Sequence, residues 1–124
     1  MLGKNKRILI LDINKEIVDL VSNVLEDEGY EVRTLESPRL IYNEISLFLP
    51  QLIILGFHLK EFDALEICNK IKTSHLYQRI PVLMIAHEQD VKKLVGNEIL
   101  DGLLQLPIDH NELIAMVSKM QLSK

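Results

Sequence analysis

Three side chains in this protein carry groups that could ligate a metal ion or exchange protons at one place. Asp12, His58 and His87 each come directly or shortly after a short apolar run. One carboxylate and two imidazoles are an acceptable ligand set for zinc. Their spacing matches no established metal motif, however, and the remaining histidines, His75 and His110, are expected to be solvated. The sequence therefore predicts no metal site and no cofactor.

The elements that position these side chains follow from the apolar pattern. Five candidate strands alternate with segments in which apolar residues recur at helical spacing. The second strand alternates polar and apolar residues, which is typical of a strand near an edge. Strict alternation predicts an α/β fold, a doubly wound five-stranded parallel sheet of flavodoxin-like order 2-1-3-4-5 with helices on both faces. The candidate strands are residues 8–11, 31–35, 52–55, 82–86 and 103–104.

Capping residues mark several helix ends. Asn14 can cap the first helix, and Gly29 can end it. Asp109, with Glu112 three residues later, predicts a capping box at the start of the last helix. Leu40, Ile41, Ile45 and Phe48 recur at helical spacing and mark the second helix. Val91, Leu94 and Val95 mark a fourth helix, weakened by Gly96.

Composition limits the classes of function. The chain has 124 residues, 48% of them hydrophobic, and a formal net charge of −4. This suits one domain, predicted over residues 1–124 with its core at 7–121. A mildly acidic chain has no general attraction for nucleic acid or for an anionic membrane. There is no signal peptide, no run near the ~20 residues of a membrane span, and one cysteine, Cys68, so we expect a cytoplasmic location.

In an open parallel α/β sheet, ligands bind beyond the carboxyl ends of the strands. Few reactive groups stand at those ends in this sequence. The residues found there are Asp12, Ile13, Gly56, Ala86 and Leu106.

Several stretches, in their order and spacing, resemble the receiver domains of two-component response regulators. They are "RILILD", "VLEDEGYEV", "LPQLIIL", "ALEICNKIKTSHLYQRIPVLMIA" and "LLQLPIDHNELIAMV". The resemblance covers residues 7–121. It implies the same sheet order and a cis peptide between Leu106 and Pro107.

The resemblance also implies a site that this sequence has largely lost. In receivers, an aspartate at the end of the third strand takes a phosphoryl group from a histidine kinase. Two acids after the first strand help to hold magnesium, a serine or threonine ends the fourth strand, and a lysine follows the fifth. This sequence retains Asp12 but has Gly56, Ile13, Ala86 and Leu106 at the other positions. The expected protein is a degenerate pseudo-receiver with no phosphoacceptor and no magnesium-dependent activation.

A receiver scaffold without phosphotransfer predicts a protein-interaction module in a signalling pathway. By resemblance, the partner face lies on the fourth helix, fifth strand and last helix, with Lys92, Leu103 and Met116 as contributors. A homodimer is one possible assembly. Neither nucleic acid nor a membrane is an expected partner.

Two other functions stay open. An apolar pocket lined by Ile13, Ala86 and Leu106 could accept a small ligand. A receiver could also be phosphorylated at another acid, Asp63 or Asp12. An enzyme is not predicted, because the sequence has no nucleophile beside a base and no glycine-rich phosphate loop.

Overall fold

The computed structural model describes residue 3 and residues 6–122, so the outermost ends of the predicted domain lie outside the described residues. The chain alternates strands and helices. In order, these are β1 (Arg7–Leu11), α1 (Lys15–Asp27), β2 (Glu31–Leu35), a 3-10 turn (Pro38–Leu40), α2 (Ile41–Phe48), β3 (Leu52–Gly56), β4 (His58–Leu59), β5 (Phe62–Asp63), α3 (Ala64–Thr73), β6 (Val82–Ala86), α4 (Glu88–Leu94), β7 (Gly102–Gln105) and α5 (His110–Leu122).

The five long strands form one parallel sheet in the order β2-β1-β3-β6-β7. This confirms the predicted flavodoxin-like order, with β6 and β7 as the predicted fourth and fifth strands. Leu11 pairs with Leu35 and Leu55, and Gly56 pairs with Ile85. The carboxyl ends of β1, β3 and β6 therefore lie side by side at one edge of the sheet, which is where the site residues were predicted.

Two apolar layers cover the sheet, because side chains along each strand point alternately to opposite faces. One layer packs the odd-numbered residues of β1 under α2, α3 and α4, and includes Leu9, Ile45 and Ile71. The other packs the even-numbered residues under α1 and α5, and includes Ile8 and Val117. The central strands β3 and β6 are buried along their whole length. That burial fits their continuous apolar sequence.

The predicted caps are present. The Asn14 side chain accepts the backbone N–H groups of Glu16 and Ile17 at the start of α1. Gly29, just beyond the end of α1, has φ 93°, a left-handed conformation that glycine adopts without steric cost. The Asp109 carboxylate accepts the N–H of Glu112 at 3.0 Å.

Two residues whose spacing marked helices lie just outside the α-helices. Leu40 is 58% exposed, because the chain there forms a 3-10 turn before α2 begins at Ile41. Val95 is 69% exposed, because α4 ends at Leu94 and the chain turns away towards Gly96. In both cases the helical spacing extends one residue past the α-helix itself.

A short antiparallel hairpin was not predicted. Strands β4 and β5 pair His58 with Asp63 and Leu59 with Phe62. Lys60 turns between them at φ 58°. Leu59 is 1% exposed and anchors the hairpin in the core. This hairpin follows β3 directly, so it forms one side of the site.

Three local features complete the description of the fold: one peptide bond, one thiol and the lengths of the helices. The peptide between Leu106 and Pro107 is cis, as predicted. Cys68 is fully buried, and burial raises the pKa of its thiol to about 11. The thiol is therefore not ionised near neutral pH and is unreactive. None of the helices among residues 6–122 is long and apolar enough to cross a membrane.

Candidate functional site at the carboxyl end of the sheet

Asp12 is the acidic side chain at the centre of this edge. It follows β1 and is only 6% exposed. Its Oδ1 accepts the backbone N–H of Asn14 at 3.0 Å. Burial raises the pKa of the Asp12 carboxyl, and the backbone N–H groups of Asn14 and Ile13 and the nearby His58 and His87 lower it by less. Asp12 is therefore a buried acid held by backbone, as expected for an acid at a strand end.

Gly56 lies directly against that carboxylate. A Cβ built on Gly56 would lie 2.5 Å from Asp12 Cγ, closer than real side chains approach. The Asp12 carboxylate thus occupies the space that a side chain at position 56 would need. The end of β3 carries no nucleophilic side chain, and the Asp12 carboxylate from the end of the neighbouring strand β1 fills the volume beside Gly56.

A cavity of about 150 Å³ opens beside Asp12. Four of the five predicted pocket residues line it: Asp12, Ile13, Ala86 and Leu106. Gly56 is not part of the lining, because the Asp12 carboxylate covers it. The rest of the lining consists of three apolar residues, Ile17, Phe57 and Ile85, and three polar ones, Asn14, His58 and His87.

Two histidines stand at the mouth of the cavity. His87 immediately precedes α4, and its ring centroid lies 5.8 Å from that of His58. His58 lies on the β4–β5 hairpin, and its Nε2 is 2.6 Å from Oδ2 of Asp90 in α4. Asp90 is 4% exposed, and Lys93 Nζ lies 3.8 Å from its Oδ1. The contact between His58 and Asp90 joins the hairpin to the first turn of α4.

Sequence reasoning missed Asp90. Its burial and its contact with His58 depend on how the hairpin folds against α4. In the sequence, Asp90 is marked only by its place in the first turn of a helix. An acid is favourable there in any helix, so this place does not indicate a functional role. Reasoning did place His58 and His87 near Asp12, and the structure brings all three to one cavity.

Magnesium, which the fold family implies, does not fit these residues. Mg²⁺ requires several oxygen ligands in octahedral geometry, and the cavity offers one buried carboxylate between Ile13 and Gly56. In the described part of the chain, residue 3 and residues 6–122, no group of three or more histidine, cysteine or acidic side chains could hold a metal ion. We derive no chemistry through a metal at this site.

The residues predicted for a partner face lie on α4 and in two adjoining grooves. Lys92 is exposed on α4. Leu103 lines a groove of about 420 Å³ between α4 and β7, and Met116 lines another of about 480 Å³ beside α5. Leu103 packs against one apolar layer and Met116 against the other, on opposite sides of the edge strand β7. Three residues line both grooves: Asp101, Gly102 and Glu112.

Asp12→Asn is expected to stabilise the domain at neutral pH, by about 0.5–2 kcal/mol. The pKa of Asp12 in the folded state is raised above its ordinary value of 3.8. Its favourable contribution is therefore complete below that ordinary value and is lost as the pH rises through the folded-state pKa. Asparagine can still accept the Asn14 N–H and carries no charge. Urea denaturation of both proteins over a pH series measures the difference.

The difference in the free energy of unfolding between Asp12→Asn and the native protein should be small at acid pH and grow as the pH rises. An equal difference at every pH, or a less stable variant at neutral pH, would contradict the account of Asp12.

Comparison with known proteins agrees with the fold. A family profile of the response regulator receiver domain matches residues 8–118. The chain is 30% identical over 115 residues to the alkaline phosphatase synthesis transcriptional regulatory protein PhoP of Bacillus subtilis (strain 168), covering 91% of this chain and 47% of that protein. It is 37% identical over 91 residues to the nitrogen assimilation regulatory protein NtrX of Azorhizobium caulinodans, covering 72% and 20%. The chain thus spans less than half the length of these curated relatives.

Comparison with solved structures also indicates the receiver fold. The receiver domain of NtrX from Brucella abortus has a TM-score of 0.87 and 26% identity, covering 94% of this chain and 99% of that one. The chemotaxis response regulator CheY4 of Vibrio cholerae, at 23% identity, shares the fold with a TM-score of 0.81, covering 93% and 98%. Since the family profile spans most of the chain and the sheet order is the same, this protein belongs to the response regulator receiver domain family of signal transduction.

Proposed function

We propose that this receiver domain signals without accepting a phosphoryl group and acts as a protein-interaction module. The observation that carries the proposal is the absence of an acceptor side chain at the end of β3. Gly56 offers no carboxylate there, and the buried Asp12 side chain takes the space that an acceptor would need. The apolar residues Ile13 and Leu106 beside it make the cavity a poor place for a phosphate, because an ionic group buried in apolar surroundings is costly.

Incubation with a small phosphodonor and Mg²⁺ is expected to leave the mass of the folded protein unchanged. Intact-mass spectrometry under native and acid conditions measures this, and a receiver domain that retains its aspartate serves as the positive control. An adduct of one phosphoryl group on the folded protein would refute the proposal. Digestion would then locate the acceptor, with Asp12 and Asp63 as the acids to examine.

Phosphorylation at Asp63 has little structural support. The Asp63 Oδ1 accepts the backbone N–H groups of Leu65 and Glu66 at the start of α3. The residue also pairs with His58 in the hairpin and does not line the cavity. Its carboxylate is therefore engaged in a helix cap, which accounts for the presence of an acid at this position.

The partner surface that we propose is the region around the edge strand β7. Leu103 and Met116 line its two grooves, and Lys92 lies on the neighbouring α4. A protein partner, including a second copy of the chain, could cover the edge of β7 and both grooves together. We place the domain in the cytoplasm, with no catalytic activity and with no nucleic acid or membrane as its own partner. Light scattering without a phosphodonor tests for self-association.

A small-ligand-binding domain is the second candidate. The observation that favours it is the cavity of about 150 Å³ with one buried acid and mostly apolar walls. Pockets of this character, apolar with a few placed polar groups, are typical of ligand sites. This second function is compatible with the first, because a ligand could take the place of phosphate as the signal.

A further inference from the structure

The acid in the cavity at the carboxyl end of the sheet, Asp12, has no lysine or arginine beside it among the residues that the structure describes. Asp12 is buried, and its hydrogen bonds come from backbone N–H groups. Within residues 6–122, no lysine or arginine forms an ion pair with it. A buried carboxylate with no cationic partner is unfavourable, and a ligand that supplied the missing charge would recover that free energy.

The two histidines at the mouth lie near enough to lower the pKa of Asp12, but neither forms a hydrogen bond or ion pair with it among the described residues. His58 directs its Nε2 to Asp90 at 2.6 Å, so that nitrogen is engaged. His87 is exposed and contacts the His58 ring. In the part of the chain that the structure describes, no side chain donates a hydrogen bond to Asp12. The position opposite the carboxylate is therefore available to a donor from outside.

The lining and the volume of the cavity indicate the polarity and the size of a ligand that could bind there. The apolar side chains of Ile17, Phe57, Ile85 and Leu106 surround most of the space. Its volume of about 150 Å³ is about five times the ~30 Å³ that a water molecule occupies in the liquid. A ligand that complements both the Asp12 carboxylate and the apolar side chains has a positively charged N–H donor at one end and a short apolar stem.

We propose that this cavity binds a small organic cation, an ammonium group on a short alkyl stem, with the ammonium on the Asp12 carboxylate. The proposal rests on the absence of a phosphoacceptor at Gly56 and names the ligand class of the same site. Ammonium suits the site better than a metal ion, because one carboxylate and its neighbouring apolar side chains can hold an alkylammonium, but they do not complete a metal coordination shell. The same group can come from a free amine or from a lysine side chain of a partner.

The test is a titration of the ¹⁵N-labelled protein with n-butylammonium at mildly alkaline pH, followed by amide chemical shifts. Matched probes are n-butanol, which lacks the charge, and butyrate, which reverses it. We expect saturable shifts at Ile13, Phe57 and His87 with butylammonium, and binding of the other two weaker by about tenfold or more. Equal binding of butanol, or the absence of shifts at these amides, would overturn the proposal.

Two variants assign the effect to Asp12. Asp12→Asn should weaken butylammonium binding by about tenfold or more, whereas Glu31→Gln removes an exposed acid on the edge strand β2 and should bind like the native protein. Leu106→Lys brings an ammonium into the cavity from within the chain and should abolish binding. Unchanged binding in either cavity variant, or displacement of butylammonium by MgCl₂ at the same amides, would show that the assignment is wrong.

The source of the ammonium is decided by a second ligand, Nα-acetyl-lysine N-methylamide. Tighter binding than butylammonium supports a lysine side chain, and weaker binding supports a free amine. Failure of this proposal is distinct from failure of the proposed function. A phosphoryl adduct in the mass experiment would refute signalling without phosphate, while loss of ammonium selectivity would refute only the ligand class.

Discussion

Gly56→Ala is expected to destabilise the domain by about 1–3 kcal/mol, the usual cost of adding volume to a packed interior. The added methyl group would lie 2.5 Å from Cγ of Asp12, whose carboxylate is fixed by backbone N–H groups. In an ordinary strand, alanine would be the more favourable residue, since glycine has the larger conformational entropy to lose. Chemical denaturation followed by circular dichroism measures the change in the free energy of unfolding.

A double-mutant cycle with Asp12→Ala isolates the cause. Once the carboxylate is removed, Gly56→Ala should cost less by about 1 kcal/mol or more, because the two sites are in contact. Gly102→Ala is the matched control. Its Cβ would meet the flexible ends of Leu83, Met120 and Met116 at 3.0–3.4 Å, so these side chains can yield. Equal costs of Gly56→Ala with and without Asp12 would exclude the packing that we describe.

Asp101→Ala is expected to destabilise the domain by about 1–2 kcal/mol, because the Asp101 side chain is 39% exposed and solvent screens its charge. The Asp101 Oδ2 accepts the backbone N–H of Val82 at 2.8 Å and lies 2.5 Å from Lys72 Nζ. Lys72 also donates to the carbonyl of Ile80 at 2.8 Å. One carboxylate therefore joins the end of α3 to the starts of β6 and β7. Its removal leaves a buried N–H at Val82 and a largely buried ammonium without this partner.

Two variants separate these contributions. Asp101→Asn retains an oxygen for the Val82 N–H but not the charge, so it should cost about half as much as alanine. Lys72→Met retains the apolar stem and removes the ammonium. If the asparagine variant were as unstable as the alanine variant, the ion pair would be the main contribution. A cost below about 0.5 kcal/mol for Asp101→Ala would contradict the network altogether.

Much of the fold could be predicted from local sequence. Continuous apolar runs such as residues 52–55 and 82–86 indicate strands covered on both faces, and the alternation of strand and helix then leaves one common topology. Caps at Asn14 and Asp109 were visible because their chemistry is local. The residues at the strand ends could be placed at one edge because parallel strands all end at the same side of a sheet.

The features that were missed depend on contacts between distant segments. Asp90 and His58 are 32 residues apart, and their contact exists only after the β4–β5 hairpin has folded against α4. Two-residue strands such as His58–Leu59 carry no periodic signal to detect. The position of the Asp12 carboxylate over Gly56 also could not be predicted, because sequence shows that a side chain is absent but not which neighbour fills its volume.

The packing of α5 has a consequence for synthesis of the chain. Leu113 and Val117 of this last helix are fully buried in the same layer as Ile8 and Ile10 of β1, the second strand of the sheet. The first strand of the domain thus shares an apolar layer with its last helix, together with α1. A nascent chain that has left the ribosome as far as β7 has α1 to cover this face of β1, but the layer is completed only when residues 110–120 emerge and α5 packs against α1 and β7.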